Sequence, residues 1–509
     1  MLVLKRIFSR LNVTVFLITV QILLLAALFW GLVRYVPHAA AAGYALNALI
    51  VLALVRKEEA AAYKVVWIII VMALPIAGGI IYLLFGNKRP SKRMKRRMEK
   101  ERKLIAGPRR DESALNDLKT QNKRLAGCMR YIQKVHSYPV YNNSETKYYP
   151  SGELLFEDML TCLASAKKFI FMEYFIISQG VMWDKVHNLL AQKAKEGLDV
   201  RLIYDDLGSI KLFNRPYLKK LKRENIKTVR FNKVVPLLSL AMNYRDHRKI
   251  MIIDEHTAFS GSVNIADEHI NQNCRLGTWK DTGIRLKGGA VRSFTHMFLE
   301  TWNAFCKEAE RINDVGLYES ASKNDAPCNG FTQPYGDSPL DEERVGENVY
   351  IEILGQAKRY IYIFTPYLII SDKMLYALQM AAKRGVDVRI VTPGVPDKKI
   401  VCRLSRSYYA RLIKSGVKIY EYTQGFLHAK SFVCDDEIAV VGTINLDYRS
   451  LYLHFECAAL LYGANAVNDI KEDAVQTIAA AREVTVKNCK RTFLGEFIDS
   501  VLCLFAPLM

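Results

Sequence analysis

The chain lacks paired cysteines of the kind that build a metal site or a disulfide framework. Its ten cysteines are scattered from Cys128 to Cys503, no two of them have CxxC spacing, and the first hundred residues contain none. A structural zinc site needs clustered thiols, and a secreted disulfide scaffold is short and rich in cysteine. The sequence therefore argues against both classes and predicts reduced thiols in a cytosolic body.

Acidic residues are scarce relative to basic ones. The 509 residues include 72 Lys and Arg but only 51 Asp and Glu, so the formal net charge is +21. An excess of this size favours a polyanionic partner, and nucleic acid and an anionic lipid surface are the two candidates. The charge alone does not separate these two partners.

Long apolar runs are present near the N-terminus. The run Val13 to Val33 is long enough to cross a hydrocarbon layer of roughly 30 Å as a helix. Ala39 to Val55 is short for a span, whereas Val65 to Phe85 is a stronger candidate despite Pro75. A cleaved signal peptide is the competing interpretation of the first run, but that run is longer than a usual signal sequence and more apolar segments follow it. The sequence predicts two or three transmembrane helices within residues 1–86.

A block of basic residues follows the apolar runs. After Gly86 the sequence reads Asn-Lys-Arg-Pro-Ser-Lys-Arg-Met-Lys-Arg-Arg, and the positive-inside rule places such a flank on the cytoplasmic side. We therefore expect a multi-pass protein of the cell membrane whose main body is cytoplasmic. Lys5, Arg6 and Arg10 also favour the cytoplasmic side, and three full spans cannot keep both ends there. The number of spans and the side of the N-terminus stay open.

The body of the chain contains an internal repeat. Beyond about residue 130, β-branched strands alternate with amphipathic helices, which predicts an α/β body with a largely buried sheet. The segment that begins at Ala166 recurs from Ala357, and each half continues as strand, helix, strand. These patterns divide the chain into a transmembrane region (1–86), a basic juxtamembrane linker (87–130), a first unit (131–312), a connector (313–341) and a second unit (342–509).

One histidine motif occurs in both halves. The pattern HxKxxxxD is present as His247, Lys249 and Asp254 and again as His428, Lys430 and Asp435. With nine histidines in the chain, one chance match has odds on the order of a few per cent, and two matches in equivalent positions are far rarer. The agreement extends further, because a glycine and an asparagine follow each aspartate at the same distances, as Gly261 and Asn264 and as Gly442 and Asn445.

The paired motifs indicate a phosphate-transferring site. The period-two alternation of a strand places the histidine and lysine of each motif on one face, where both reach the same ligand. Two imidazoles then supply acid, base and nucleophile, and two ammonium groups offset the charge on phosphate oxygens. Asn264 and Asn445 are candidates to bind the same oxygens, while each aspartate either orients its histidine or lies near its lysine. A single histidine on a strand is usually structural, so the argument rests on the pair.

These motifs resemble those of the phospholipase D superfamily, and the resemblance covers the body from about residue 130 to the end. The chain is similar, more narrowly, to the bacterial cardiolipin synthases, in the segments that begin at Leu74, Met172, Asp205, Asn243 and Asn445 and in the terminal Leu-Phe-Ala-Pro-Leu. There are three departures: Ser262 follows Gly261 where the family often has a second glycine, His269 stands where tyrosine is common, and an additional apolar N-terminal run is present. None of them changes the His–Lys pairs, and the additional apolar run leaves the number of spans open.

The resemblance implies two fused α/β/α units with pseudo-twofold symmetry, preceded by transmembrane helices, and a two-step reaction without metal or cofactor. His247 is then the nucleophile that attacks phosphatidylglycerol, and His428 is the general acid and later the base, although the reverse assignment stays possible. Lys249, Lys430, Asn264 and Asn445 are implied to bind phosphate, with Asp254 and Asp435 in support. The implied partners are phosphatidylglycerol and an anionic bilayer, and the oligomeric state is not implied.

Other functions are compatible with the same motifs. The motifs do not specify the acceptor, so a hydrolase that uses water, or a transferase that uses serine or another alcohol, stays open. Whether the second lipid is phosphatidylglycerol or phosphatidylethanolamine is open as well. A nucleic-acid phosphodiesterase fits the charge, but the apolar spans and the lack of a recognisable nucleic-acid module argue against nucleic acid as a partner. A non-catalytic membrane scaffold would have no need of either intact His–Lys pair.

Overall fold

The protein is described by a computed structural model. The described residues are 10–35, 39–57, 61–74, 77–86, 92–105, 112–235, 243–318 and 329–508. Parts of the predicted basic linker (87–91 and 106–111) and of the predicted connector (319–328) lie outside them.

The N-terminal region is helical. Its elements are α1 (Arg10–Tyr35), α2 (Ala39–Arg56), α3 (Ala61–Ala73), α4 (Ala77–Ile81) and a π-helical turn (Tyr82–Gly86). The run predicted as a single third span, Val65 to Phe85, is therefore divided between α3, α4 and the π turn. The sequence has Pro75 between the first two of these, and proline lacks the N–H that a continuing helix needs. Among the described residues, no helix is both long enough and apolar enough to cross a membrane.

Helices α2 and α3 pack together around a small core of their own. Asn47 of α2 is buried, and its Nδ2 donates hydrogen bonds to the carbonyl oxygens of Val71, at 2.6 Å, and Leu74, at 3.0 Å. Because the last carbonyls of a helix have no partner within it, these bonds satisfy the end of α3. The buried core consists of Ile50, Leu54, Tyr63, Trp67, Val71 and Tyr82.

The first half of the body is built on a seven-stranded sheet with strand order β1-β9-β7-β6-β2-β3-β4. Strands β2, β3 and β4 are parallel, and the remaining pairs are antiparallel. The β2 sequence Phe-Ile-Phe-Met-Glu-Tyr is buried at every position, as expected for a strand covered on both faces. The strands are β1 (Ser144–Tyr149), β2 (Phe169–Tyr174), β3 (Asp199–Asp205), β4 (Lys227–Phe231), β6 (Lys249–Ile253), β7 (Thr257–Gly261) and β9 (Gly283–Gly288).

The second half repeats this arrangement with strand order β10-β19-β17-β16-β11-β13-β14-β20. Its first strand lies within the predicted connector 313–341, so the second sheet begins before residue 342. The strands are β10 (Phe331–Asp337), β11 (Tyr360–Phe364), β13 (Asp387–Pro393), β14 (Lys418–Tyr422), β16 (Ser431–Cys434), β17 (Ile438–Gly442), β19 (His454–Tyr462) and β20 (Arg482–Val484), while β12 (Leu368–Ile369) and β18 (Leu446–Asp447) pair separately.

Helices cover both sheets and complete the α/β body that the sequence predicts. The largest buried core is shared by the two halves, and a second core lies in the first half alone. The body helices are α5 (Lys92–Ile105), α6 (Ser113–Gln121), α7 (Lys123–His136), α8 (Gly152–Ser165), α9 (Val181–Lys195), α10 (Arg215–Arg223), α11 (Val291–Phe305), α12 (Val345–Gln356), α13 (Asp372–Lys383), α14 (Lys399–Ile413), α15 (Tyr448–Tyr452), α16 (Ala466–Ala479) and α17 (Phe493–Phe505).

Two short strand pairs join the halves to each other. Strand β5 (Arg245–Asp246) of the first half pairs in parallel with β19 of the second, and β15 (Gly425–Leu427) of the second half pairs in parallel with β8 (Thr278–Lys280) of the first. Each histidine motif begins directly after one of these pairs. The junction between the halves therefore contains the histidine of each motif.

Candidate active site

The cross-half strand pairs set the position of each motif histidine. In the β5–β19 register, Arg245 stands opposite His454 and Asp246 opposite Phe455, so the next step brings His247 beside Glu456. The backbone N–H of His247 donates to the Phe455 carbonyl at 2.9 Å, which extends this pairing by one bond.

The second motif repeats this geometry with the halves exchanged. Leu427 stands opposite Lys280, so the next step brings His428 beside Asp281. The backbone N–H of His428 donates to the Lys280 carbonyl at 2.8 Å. Each histidine therefore meets a carboxylate that the other half of the chain provides.

The His247–Glu456 pair is buried and fully hydrogen-bonded. Nδ1 of His247 lies 2.9 Å from both carboxylate oxygens of Glu456. The hydroxyl of Ser450 donates to the same carboxylate at 2.6 Å, and the hydroxyl of Thr443 donates to its other oxygen. An ionised carboxylate can only accept hydrogen bonds, so Nδ1 carries the proton and Nε2 presents a lone pair.

The His428–Asp281 pair has the same form but a different neighbour. Nδ1 of His428 donates to Oδ1 of Asp281 at 2.8 Å, and Nδ1 of His269 donates to Oδ2 at 2.5 Å. The Ser262 hydroxyl also donates to Oδ1 of Asp281, at 2.5 Å. His269 lies five residues after Asn264, as Ser450 lies five residues after Asn445, so an imidazole here takes the place of a hydroxyl.

Burial keeps both motif histidines neutral. It lowers the pKa of His247 to about 3 although Glu456 acts in the opposite direction, and it holds the pKa of His428 well below its ordinary value. Burial alone would raise the pKa of each carboxyl, but the neighbouring histidines hold the pKa values of Glu456 and Asp281 below their usual range. The resting pairs are thus neutral imidazole and carboxylate.

Both motif lysines are buried beside the histidines. Nζ of Lys249 donates to the His247 carbonyl at 2.5 Å, and Nζ of Lys430 donates to the His428 carbonyl in the same way. Strand β6 begins only at Lys249, so His247 precedes the strand that was expected to carry it, but the hydrogen bond from Lys249 Nζ keeps the two residues together. Burial lowers the pKa of Lys249 to about 8 and that of Lys430 well below its ordinary value.

The two asparagines lie at the edge of the same cluster. Nδ2 of Asn264 is 3.2 Å from Nε2 of His269, and its Oδ1 accepts from the Ile176 N–H at 3.3 Å. The backbone N–H of Asn445 donates to Ser450 at 2.8 Å, while its Oδ1 is buried and has no hydrogen-bond partner in the part of the chain that the structure describes. The cluster therefore includes both asparagines that the sequence singled out.

The motif aspartates do not join the cluster. Asp254 follows the five-residue strand β6, which separates it from Lys249 by roughly 16 Å at about 3.3 Å per residue. Its carboxylate accepts from the N–H groups of Lys167, Lys168 and Phe169, at 3.1, 2.7 and 3.0 Å. Asp435 binds the amides of residues 358–360 in the same way. Both therefore bind the start of the neighbouring strand, β2 or β11, which makes their support structural.

The sequence motifs did not predict the two carboxylates that bind the histidines. Glu456 and Asp281 lie 209 and 147 residues from the histidines they bind. A signal was present for Glu456, because it is the one acidic residue in the buried strand His-Phe-Glu-Cys-Ala-Ala-Leu-Leu-Tyr. An unpaired charge in such a strand is costly, so a partner is expected.

Two groups of potential metal ligands overlap with these pairs. Among the described residues, His247, His454 and Glu456 form one group and His269, Asp281 and His428 form the other, with ligand atoms within 4.8 Å of one another in each. In both groups the motif histidine already donates its Nδ1 proton to the carboxylate, so the observed arrangement is that of a hydrogen-bonded pair.

Two lysine-flanked imidazoles at the junction of a duplicated α/β fold define the phospholipase D-like class of phosphodiester enzymes. The family model described as "Cardiolipin synthase, PLD-like domain" matches residues 159–283 and 350–477, one match in each half. A second, "Phospholipase_D-nuclease N-terminal", matches residues 45–87. The fold is shared with the crystal structure of a phosphatidylserine synthase from Haemophilus influenzae, at a TM-score of 0.57 and 15% identity over 75% of this chain and 97% of that one.

Close relatives cover almost the whole chain. An uncharacterized protein of Streptococcus mutans serotype c is 42% identical over 90% of this chain and 99% of its own length. A cardiolipin synthase of Alkalihalophilus pseudofirmus is 36% identical over 87% and 88%, and cardiolipin synthase 2 of Bacillus anthracis is 33% identical over 87% and 86%. The chain belongs to the cardiolipin synthase family, which confirms the resemblance seen in its motifs.

Proposed function

We propose that the protein is a cardiolipin synthase that joins two phosphatidylglycerol molecules and releases glycerol through a phosphohistidine intermediate. The observation that carries this proposal is the pair of buried His–carboxylate contacts across the two halves. The histidine in each contact has an unprotonated Nε2, and a lysine lies beside each histidine. One phosphodiester between the two imidazoles therefore meets a nucleophile on one side and a proton carrier on the other.

In the first step, Nε2 of His247 attacks phosphorus and the bond from phosphorus to the glycerol oxygen breaks. His428, protonated on Nε2 in the substrate complex, gives that proton to the departing glycerol. The substrate phosphate favours this protonation because it brings a negative charge to the site. Lys249 and Lys430 offset the charge that develops on the non-bridging oxygens.

In the second step, a second phosphatidylglycerol takes the place of glycerol. His428 removes the proton from its terminal hydroxyl, the hydroxyl oxygen forms a bond to phosphorus, and the bond from phosphorus to His247 breaks. Cardiolipin leaves, and both histidines return to their starting states. Glu456 keeps the His247 ring oriented throughout and stabilises the charge that the ring gains on phosphorylation.

We also propose that the N-terminal region attaches the body to the membrane. The family match over residues 45–87, the basic side chains of α5 and the exposed apolar side chains of α2 support this attachment. The number of spans, and a cytoplasmic position for the body, stay predictions.

The reaction is tested by incubating the purified full chain in detergent micelles with phosphatidylglycerol and a chelator, with lipid products identified by mass spectrometry. Cardiolipin and an equal amount of glycerol are expected. Phosphatidic acid as the sole product would make the protein a hydrolase, and faster cardiolipin formation after addition of phosphatidylethanolamine would change the donor or acceptor. A strict requirement for a divalent ion would contradict the histidine mechanism.

A further inference from the structure

A large basic groove lies on the first half, outside the cluster of motif residues. It has a volume of about 1230 Å³ and runs along β4, between α10 on one side and α5 with the end of α11 on the other. Neither motif histidine nor either partner carboxylate lines it. We call this feature the basic groove.

The lining is strongly cationic. It includes eight Lys or Arg residues but only two acidic residues, Asp199 and Glu310. The Asp199 carboxylate already has two cationic partners, because it accepts hydrogen bonds from Arg201, at 2.8 Å, and Lys227, at 2.7 Å. The basic residues are Arg93, Arg97, Lys219, Lys222, Lys227, Arg230, Lys233 and Lys307.

Three of these cations have no counterion among the described residues. Lys219, Lys222 and Lys233 are exposed, and none of them forms an ion pair with a carboxylate among the described residues. Like charges in one concave surface raise the local potential, and that potential attracts a polyanionic or phosphate-bearing ligand.

The groove also has apolar walls. Met94 of α5, Leu218 of α10 and Phe305 of α11 line it together with Leu198 and Val229. A free phosphate or a nucleotide sugar has no apolar part that could pack against such a surface. A phospholipid carries an anionic headgroup and apolar chains in one molecule. The combination of cations and aliphatic side chains therefore favours a lipid.

One wall of the groove is an open sheet edge. Strand β4 is the last strand of the first sheet, and no described strand pairs with its outer side. The equivalent strand of the second half, β14, is covered by β20 through the register Ile419 to Val484. The groove thus occupies the place that a strand fills in the other half, and backbone N–H groups of β4 add donors for an anion.

One wall of the groove belongs to the first body helix after the N-terminal apolar region. This helix, α5, packs on α11, and its Met94 and Met98 are buried in the shared core. Its outer face supplies Arg93 and Arg97 to the groove. A ligand here is therefore held next to the segment that connects the body to its proposed membrane attachment.

We propose that the basic groove is a second, non-catalytic binding site for an anionic phospholipid. The phosphate of the headgroup lies among Lys219, Lys222 and Lys233, and the proximal part of the acyl chains lies against Leu218 and Phe305. This proposal does not depend on the synthase reaction, since it requires only that the protein meets an anionic bilayer.

The test uses the full-length His247→Ala protein, which cannot turn over lipid, so a failure of the proposed reaction does not affect the result. A photo-crosslinkable phosphatidylglycerol is added in micelles, and labelled peptides are identified by mass spectrometry. Labelled peptides from α5, α10 and β4 are expected, and phosphatidylcholine carrying the same photo-group is expected to label them far less. Label restricted to the N-terminal helices and the motif cluster, or equal labelling by phosphatidylcholine, would overturn the proposal.

A charge-reversal variant adds an independent measurement. Lys219→Glu, Lys222→Glu and Lys233→Glu together are expected to lower groove labelling by at least about tenfold, since each basic residue contributes about fivefold to binding an anionic surface. The matched control reverses Lys373, Lys383 and Lys414, three exposed lysines of the second half, and should leave the labelling unchanged.

The two variants separate the possible outcomes. Equal loss in both would show a general charge effect and overturn the site. A groove that binds a poly-glutamate peptide but takes no lipid label would be a peptide site and would likewise overturn it. If the triple variant does not fold, the corresponding glutamines replace the glutamates, and the mapping of labelled peptides in the His247→Ala protein decides the question alone.

Discussion

At the scale of single residues, the chemistry depends on carboxylates that lie outside the histidine motif. Glu456 and Asp281 fix which ring nitrogen of each histidine carries the proton. They differ in their other donors, since Glu456 receives two hydroxyl groups and Asp281 receives one hydroxyl and His269. The two halves therefore resemble each other in fold more than in the details of the site.

Replacing either carboxylate by its amide is expected to lower kcat about 100-fold or more. Glu456→Gln and Asp281→Asn keep the shape, but an amide NH₂ favours the wrong imidazole tautomer and gives no charge stabilisation. The measurement is cardiolipin formed per folded enzyme, with thermal unfolding as the check on folding. Glu437→Gln, at an exposed position of the second half, is the control and should keep full activity. Near-normal turnover in Glu456→Gln would remove the carboxylate from the mechanism.

The pH dependence is expected to follow the buried lysines. Burial lowers the pKa of Lys249 to about 8, so the free enzyme has the charged ammonium below that pH and loses it above. Since the charged form attracts phosphate, kcat/KM for phosphatidylglycerol should fall as pH rises through about 8. Burial lowers the pKa of Lys430 in the same direction.

Lys249→Arg offers the matched variant for this profile. A guanidinium stays charged above pH 12, so the decline through about pH 8 should become less steep because the residue at position 249 no longer loses its charge. A kcat/KM that stays constant from about pH 7 to 10 in the unaltered protein would contradict the expectation.

At the scale of elements, each motif serves both ends of a strand. Lys249 begins β6 and Lys430 directly precedes β16, and the aspartate follows the same strand at its far end, with φ angles of 53° at Asp254 and 55° at Asp435. Each carboxylate there accepts three successive backbone N–H groups. The HxKxxxxD spacing thus puts the lysine at the end of the strand near the histidines and the aspartate at the opposite end, where it binds the neighbouring strand.

Removal of the Asp254 carboxylate is expected to destabilise the protein while leaving the motif histidines in place. Asp254→Ala leaves buried amides without acceptors and puts alanine at a positive φ, which together cost about 2 to 4 kcal/mol. Thermal or denaturant unfolding measures the change. Asp254→Asn keeps one oxygen and tolerates this φ, so its loss should be smaller. A loss of activity without a loss of stability in Asp254→Ala would indicate a direct chemical role.

The sequence predicted the elements where local pattern decides them. The apolar segments from Ala166 and Ala357 form β2 and β11, and both histidine–lysine pairs lie together at the junction of the halves. The partners of the histidines were not predictable, because contacts across 209 and 147 residues depend on which strands of the two halves meet. Pro75 in the sequence was an indication that the run from Val65 to Phe85 is divided between α3 and α4. The transmembrane role of the apolar runs stays a prediction.

At the scale of the whole molecule, neither half contains a complete site. The first half carries His247 and Asp281, and the second carries His428 and Glu456, so both His–carboxylate pairs form only when β5 meets β19 and β8 meets β15. The two halves of the repeat therefore form a complete site only together.

Separated halves are expected to be inactive. A fragment that ends at residue 318 and a fragment that begins at residue 329 should each form less than about 1% of the cardiolipin of the full chain, because a histidine without its carboxylate loses both orientation and charge stabilisation. Co-expression should restore part of the activity, and His428→Ala in the second fragment should abolish what is restored. Activity of the first fragment alone would show that one half suffices.

The uncovered edge of β4 also affects how copies of the protein meet one another. An unpaired strand can recruit the same strand of a neighbouring molecule and begin a continuous intermolecular sheet. Here the edge carries Lys227 and Arg230 and lies beneath the lysines of α10, so two copies that approach along it bring like charges together. The cations that make this surface receptive to a lipid phosphate therefore also keep crowded molecules from polymerising through it.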